Sequence, residues 1–349
     1  MSRPASPRVV AHIVDRLTGG VPVAVRTYVE SSSSAYTHTV VAPFVDGAPA
    51  PIWQGLDVRH IRWDAASPVT ALRDLRRILG AHRFDVIHAH SSYPGAYVRL
   101  LRAGRRTRVV YTPHCYAFLR TDVSPVLRSA FRLSERLLAG GASMVAACGP
   151  GERIEALALG VPGERTTVVP NLPSILPGED RARRGAGDPS VLRVGMLGRW
   201  APQKDPDYFL GRVEHLRAAL PAVTVAATWI GDGPSSAPRV RVTGWAARDD
   251  VRAELAELDV YFHTAAWEGF PIAILDAAAM GLPILARRIP ALPDLPDEVT
   301  LEGGAGSLIS AVRSGGFAPW STRNRAMWAD YLGPRDPISQ RRALERAWG

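Results

Sequence analysis

The sequence predicts an α/β protein of two tandem domains, each with a parallel sheet flanked by helices. Three observations carry that expectation. Short β-branched runs alternate with amphipathic or Arg/Leu-rich stretches along most of the chain. One polar, Pro/Gly-rich segment, residues 174–190, breaks the alternation, which then restarts. At 349 residues the chain is too long for one ordinary domain and fits two.

The first half reads as strands over Arg8–Asp15, His38–Phe44, Val58–Trp63, Asp85–His90, Arg108–His114, Ser143–Cys148 and Thr166–Pro170. Helical stretches such as 69–81 and 124–139 lie between them. After the break come a strand over Val191–Leu197, a helix over Asp205–Leu220 and strands over Val223–Ile230 and Arg239–Val242. A helix over Arg248–Leu258, a strand over Val260–His263, a helix over Pro271–Met280 and a strand over Pro283–Ala286 complete the set. Pro271 suits the first turn of its helix, where a missing N–H costs nothing. The predicted organisation is a first domain over 1–173, a linker over 174–190 and a second domain over 191–319. A Trp- and Arg-rich helical segment over 320–349 is placed to pack back across the interface.

An apolar content of 46% with 21% charged residues is ordinary for a soluble globular protein. No apolar run approaches the roughly 20 residues that span a bilayer, and the start reads as a strand rather than a signal peptide. A cytoplasmic protein is expected. Cys115 and Cys148 lie far apart without metal-ligand spacing and read as buried, reduced thiols. The net charge of +9 suits an acidic partner: nucleic acid, an anionic membrane face or a phosphorylated substrate. The densest basic patch is Arg99, Arg102, Arg105, Arg106 and Arg108. No aromatic residues interleave it and no zinc-finger or RNA-binding signature appears, so nucleic acid is excluded. Peripheral association with an anionic membrane and a phosphorylated substrate stay open.

Of 42 basic residues, Lys204 is the only lysine. It follows the strand Val191–Leu197 and the pair Gly198-Arg199. Two cations, Arg199 and Lys204, therefore stand at the carboxyl edge of a parallel sheet, where open α/β sheets bind ligands. Arg offers a planar fork and Lys a mobile point charge, a combination suited to a diphosphate. A second stretch, Trp267-Glu268-Gly269-Phe270-Pro271 followed by Asp276, places a carboxylate in a turn and another on the next helix. Such carboxylates can accept hydrogen bonds from sugar and ribose hydroxyls, or can simply complement the helix N-terminal dipole.

Taken in order, these motifs resemble the donor half of family 4-like glycosyltransferases of the GT-B fold. Trp229-Ile-Gly231-Asp-Gly233-Pro resembles that family's turn after the second strand, and Val242-Thr-Gly-Trp245 its stretch beside the nucleotide base. Asp15-Arg-Leu-Thr-Gly19-Gly20 resembles its Gly-Gly loop near the donor phosphate. Tyr111-Thr-Pro-His114 resembles a strand end with a His near the donor sugar, and Val168-Val-Pro-Asn171 resembles the interdomain hinge. The resemblance covers about residues 8–290.

It implies a cleft between two Rossmann-like domains and transfer of a sugar from a UDP or GDP donor, with retention of anomeric configuration. The acceptor would be a glycan, a lipid-linked sugar or another hydroxyl compound, in cell-surface polysaccharide or glycolipid assembly. Arg199, Lys204, Glu268 and His114 would act on the reacting groups. Gly19, Gly20, Gly231, Gly233, Val242, Gly269, Phe270, Pro271 and Asp276 would hold the donor. No metal or other cofactor is implied, and the sequence has no Asp-x-Asp pair in a loop. His88 and His90 alternate on one strand and either line the acceptor side or pair structurally.

The chain departs from the family pattern in Asp276 for the usual Glu, Asn171 followed by Leu-Pro, and Lys204 followed by Asp205-Pro206 rather than Gly. A nucleotide-sugar epimerase on the same scaffold, or a decayed non-catalytic nucleotide- or carbohydrate-binding protein, is the alternative. A dinucleotide oxidoreductase is disfavoured because Gly19-Gly20 lacks the Gly-x-Gly-x-x-Gly spacing.

Overall fold

A computed structural model of the chain describes residues 6–101, 107–176, 188, 190–234, 237 and 239–349. Two compact units divide it: Met1–Leu172 with Pro334–Gly349, and Pro173–Gly333.

The first unit alternates β1 (Arg8–Val14), α1 (Gly20–Ser31), β2 (Tyr36–Ala42), β3 (Val58–Arg62), α2 (Pro68–Ala81), β4 (Val86–His90) and α3 (Ser92–Leu100). It continues with β5 (Arg108–Thr112), α4 (Pro125–Leu138), β6 (Met144–Ala147), α5 (Pro150–Ala158) and β7 (Thr166–Val168). The strands form a seven-stranded sheet in the order β3-β2-β1-β4-β5-β6-β7, every neighbouring pair parallel. Strand alternation gives the sheet two chemically different faces. Ala11, Ile13, Ile87, Ala89, Val109 and Tyr111 lie in the hydrophobic core. The intervening His12, His88, His90 and Thr112 are also fully buried, among polar partners described below. Ser67 starts α2 with a capping box, its hydroxyl accepting from Thr70 N while Thr70 returns the favour to Ser67 N.

The second unit runs β8 (Val191–Leu197), α6 (Pro206–Ala219), β9 (Thr224–Ile230), β10 (Val240–Val242), α7 (Arg248–Ala256), β11 (Val260–His263), α8 (Ile272–Ala279) and β12 (Ile284–Ala286). Its five strands are ordered β10-β9-β8-β11-β12, again parallel. Val194, Met196, Phe209, Trp229 and Phe262 form the centre of its core. α9 (Ala305–Arg313) and α10 (Phe317–Leu332) follow within this unit.

The segment expected as one piece from residue 320 is thus divided. α10 stays with the second unit, where Asn324 and Trp328 hydrogen-bond the Ile284 backbone of β12. After Gly333, α11 (Pro337–Trp348) belongs to the first unit. Asp336 caps α11, and Gln340 donates to Pro170 O and Thr27 Oγ1. Burial of Leu344 and Trp348 fixes it there.

The expected basic patch is also corrected. Arg99 is buried, donating to Glu135 at 2.9 Å and stacking over Tyr111, because its aliphatic stem lies on the inner side of α3. Arg108 donates to Ala347 O in α11. Arg102, Arg105 and Arg106 lie outside the described residues, as do residues 177–187 and 189 of the expected linker. No disulfide joins the cysteines; Cys148 is buried and Cys115 partly so.

Candidate active site

In the second unit the site residues gather where β8, β9 and β11 end. Gly198 follows β8 with its amide bonded to Ile230 O at 2.9 Å and its carbonyl accepting from Trp229 Nε1 at 2.8 Å. A Cβ at Gly231 would sit 2.3 Å from Gly198 O, so the two turns can touch only through glycine backbone. Gly233 packs against Trp200 and Val242 with the same economy. This closed set of turns places Arg199 outward, exposed, with no hydrogen bond or ion pair among the described residues.

Lys204 is turned the other way. Its side chain runs over Gly198, where a Cβ would meet Lys204 Cε at 2.8 Å. Its ammonium donates to Glu268 Oε1 at 2.5 Å, both side chains mostly buried. Gln203 Nε2 reaches Glu268 Oε2 at 3.3 Å and Trp267 O at 3.2 Å. Lys204 and Glu268, which stand in separate motifs of the sequence, are therefore one ion pair, with Gln203 orienting the carboxylate. Asp205, the unexplained neighbour of Lys204, sits at φ +50, a left-handed conformation that Asp tolerates. Its carboxylate caps α6 through Tyr208 N at 3.1 Å and pairs with Arg287 at 2.5 Å, and Pro206 fills the first helical turn. Asp-Pro thus gives the turn a helix start as well as the conformation.

His263, which the sequence offered only as the end of a strand, stands beside this pair. It is fully buried, 4.0 Å from Glu268 Oε1, and neither ring nitrogen finds a partner among the described residues. Burial first, then the Lys204 charge, holds it well below the ordinary histidine range, so it is neutral. Its signal in the sequence was position alone, the last residue before the Glu268 turn.

Gly269, Phe270 and Pro271 are buried in the turn that leads into α8. Asp276 has a different partner from the ribose expected for it. It is 2% exposed, and its oxygens accept from Ser174 N at 2.5 Å, Ser174 Oγ at 2.8 Å and Ile175 N at 3.0 Å. Those contacts satisfy the carboxylate inside the unit. Burial nevertheless raises its pKa to about 6.

In the first unit, Gly19 and Gly20 are exposed at the start of α1, Gly19 at φ +83. No side chain caps this helix and its first turn holds no acidic residue, so its leading N–H groups are open to an anion. His114 follows β5 in a turn where His114 and Cys115 both take positive φ, 51 and 94. Buried Glu152 holds that turn by accepting from Cys115 N at 2.7 Å and Cys148 N at 2.8 Å. His114 Nε2 lies 3.0 Å from His90 Nδ1. Burial holds His114 down at about 3, so its imidazole is neutral.

Two parallel-sheet α/β units, the second with a lysine–glutamate pair and an open arginine at its carboxyl edge, are the arrangement that the resemblance to GT-B glycosyltransferases implies. Comparison agrees. Residues 18–172 match the glycosyl transferase 4-like domain and residues 189–318 match the glycosyl transferases group 1 family. An uncharacterised 41.2 kDa protein in the cps region of Klebsiella pneumoniae is 24% identical over 86% of this chain and 86% of its own. UDP-Gal:alpha-D-GlcNAc-diphosphoundecaprenol alpha-1,3-galactosyltransferase of Escherichia coli is 26% identical over 63% of this chain and 62% of its own. The solved structure of Anabaena HepE in complex with UDP and glucose matches with a TM-score of 0.70 at 16% identity, over 97% of this chain and 98% of that one. The chain belongs to the family 4-like glycosyltransferases.

Proposed function

We propose that the protein transfers a sugar from a UDP or GDP sugar to a hydroxyl of a glycan, a lipid-linked sugar or a related acceptor, with retention of configuration. The observation that carries this reading is the Lys204–Glu268 pair beside the exposed Arg199, at the edge where β8 and β11 end. Departure of a nucleoside diphosphate builds negative charge on its phosphates, and cations already in place stabilise it without reorganisation. Arg199 supplies a fork for the diphosphate. Lys204, held by Glu268, supplies a second positive charge whose position is set before substrate arrives. The open N–H groups at Gly19 and Gly20 are a further anion contact. The departing phosphate itself takes the acceptor's proton, so no dedicated base is assigned. Neutral His114 serves as a hydrogen-bonding partner of the donor sugar.

Metal independence is part of the proposal. Among the described residues, the one trio of side chains close enough to share an ion is His12, His88 and His90, buried in the first unit rather than at the Lys204 edge.

The Escherichia coli relative, named for a UDP-galactose donor and a diphosphoundecaprenol acceptor, supports a role in polysaccharide or glycolipid assembly. For the acceptor, a depression in the first unit lined by Asp15, Arg16, Arg62, Asp64 and Tyr93 offers polar and cationic contacts. Peripheral binding to an anionic membrane face from the cytoplasm is supported by α4. That helix exposes Val126, Leu133 and Leu137 alongside Arg128, Arg132 and Arg136. No helix among the described residues is long and apolar enough to cross a membrane.

The test is thermal stabilisation by UDP, GDP, ADP, dTDP, CMP and NAD, with and without EDTA, on wild type and Lys204→Ala. UDP or GDP should stabilise the wild type, EDTA should change nothing, and Lys204→Ala should lose most of the shift. With the matching sugar nucleotide, that variant should also lose about 100-fold in kcat/KM. Binding of NAD alone, or of no nucleotide, would overturn the proposal. Binding without sugar transfer would favour the decayed-scaffold alternative.

A further inference from the structure

Four histidines of the first unit form a hydrogen-bonded chain across neighbouring strands, and a fifth, His88, packs beside it. Ser32 Oγ, at the C-cap of α1, lies 2.7 Å from His38 Nε2. His38 Nδ1 lies 3.1 Å from His12 Nε2, His12 Nδ1 lies 3.0 Å from His90 Nε2, and His90 Nδ1 lies 3.0 Å from His114 Nε2. His88 packs on His90, ring centroids 4.1 Å apart, but hydrogen-bonds elsewhere, with Nε2 2.8 Å from Thr112 Oγ1 and Nδ1 3.3 Å from Trp348 Nε1.

The hydroxyl rotamer of Ser32 sets the direction of this chain. A neutral imidazole has one N–H and one lone pair, so each contact needs one donor and one acceptor. In the rotamer in which Ser32 Oγ donates to Val29 O at 2.9 Å, it accepts from His38 Nε2. His38 Nδ1 is then an acceptor, His12 Nε2 donates to it, and the same logic passes through His90 to His114. Every member carries its proton on Nε2. His88, outside the chain, has its own tautomer set by its neighbours. Trp348 can only donate, so His88 Nδ1 accepts, His88 Nε2 donates to Thr112 Oγ1, and that hydroxyl donates to Ala146 O at 2.7 Å. Every nitrogen of His12, His38, His88 and His90 is thereby satisfied in the neutral state. Burial keeps all four below the ordinary histidine range.

His114 differs. It is only partly buried, and no described residue hydrogen-bonds its Nδ1. We propose that Ser32, His38, His12 and His90 act as positioning residues, a tautomer-setting relay that fixes His114 as Nε2–H and leaves Nδ1 as an acceptor for a sugar hydroxyl. The sugar rests on the proposed function; the tautomer does not. The relay also disfavours a metal at His12, His88 and His90, since an ion there would displace hydrogen bonds that already account for every nitrogen.

The test is nitrogen NMR of the full chain labelled with 15N-histidine, on wild type, Ser32→Ala and Ser32→Thr. The wild type should show His12, His38, His88, His90 and His114 as neutral Nε2–H tautomers. Ser32→Ala removes the terminal acceptor four hydrogen bonds from His114, so a second, Nδ1–H population should appear at His114. Ser32→Thr should restore the single form. Ser32 is partly exposed at a helix end, so the alanine variant should fold. In transfer assays Ser32→Ala should raise KM for the sugar nucleotide about fivefold with kcat within about twofold, and Ser32→Thr should reverse it. An Nδ1–H form of His114 in the wild type, unchanged tautomers in Ser32→Ala, or stoichiometric zinc on the purified protein would overturn the relay. If no sugar is transferred at all, the NMR result still decides it.

Discussion

Lys204 shows how a single position reads differently alone and in place. By sequence it was a lone lysine after a strand; in the structure it is half of an ion pair whose stem needs the bare backbone of Gly198. Asp276, expected to face ribose, is the acceptor that ties Ser174 and Ile175 to α8. Its side chain is one methylene shorter than the family's usual Glu and is satisfied within the unit. Asp276→Ala would strand two amides and a hydroxyl inside the unit and should cost roughly 3 kcal/mol in urea unfolding. A variant of unchanged stability that no longer binds nucleotide would return Asp276 to the ribose role.

At the scale of elements, the strands and helices expected along the chain formed with ends shifted by a residue or two. Val191–Leu197 and Val260–His263 hold to the residue. Such runs are legible because period and β-branching are local properties. The meeting of turns is not local. Nothing in Gly198-Arg or Ile-Gly231-Asp says that these backbones touch; only the parallel register of β8 with β9, Leu197 beside Ile230, brings them together. Gly231→Ala should therefore be costly although the residue is partly exposed: its methyl would lie 2.3 Å from Gly198 O. A loss of about 3 kcal/mol, read as a lower urea midpoint, is expected. Gly211→Ala, with nothing near its Cβ in α6, is the control and should be neutral or slightly stabilising.

For the whole molecule the consequence is acid sensitivity. His12, His38, His88, His90, His114 and His263 all have pKa values lowered by burial from the ordinary 6.5. The unfolded chain takes up these protons below pH 6.5 and the native protein resists until far lower. Their contribution is therefore complete above 6.5 and drains away as pH falls. His38 alone, held at about 4, accounts for about 2 kcal/mol between neutrality and pH 5. Asp276 has the opposite sign: raised from 3.8 to about 6, it favours the native state below 3.8, and that contribution is lost as pH rises through 6. Asp15 and Glu152, raised by burial in the same way, share that sign, and three carboxylates do not offset six imidazoles. The urea midpoint should fall steeply from pH 7 to pH 5, and a flat profile would show that the histidines are not buried as neutral groups.

The sequence by itself determined the class of fold, the parallel alternation and most of the second unit's candidate site. Those rest on patterns carried within about 15 neighbouring residues, hydrophobic period, turn glycines and a cation after a strand. Tertiary structure decided which polar groups meet: Lys204 with Glu268, Arg99 with Glu135, Asp276 with Ser174. It also sent α11 to the first unit and set His38, His12, His90 and His114 from four segments into one hydrogen-bonded chain, with His88 packed beside it. Those partners lie 24 to 260 residues apart in the contacts that join the histidines to one another, to Thr112 and to Trp348. A strand pattern tells which face a side chain takes; only sheet order and register tell which side chain stands beside it.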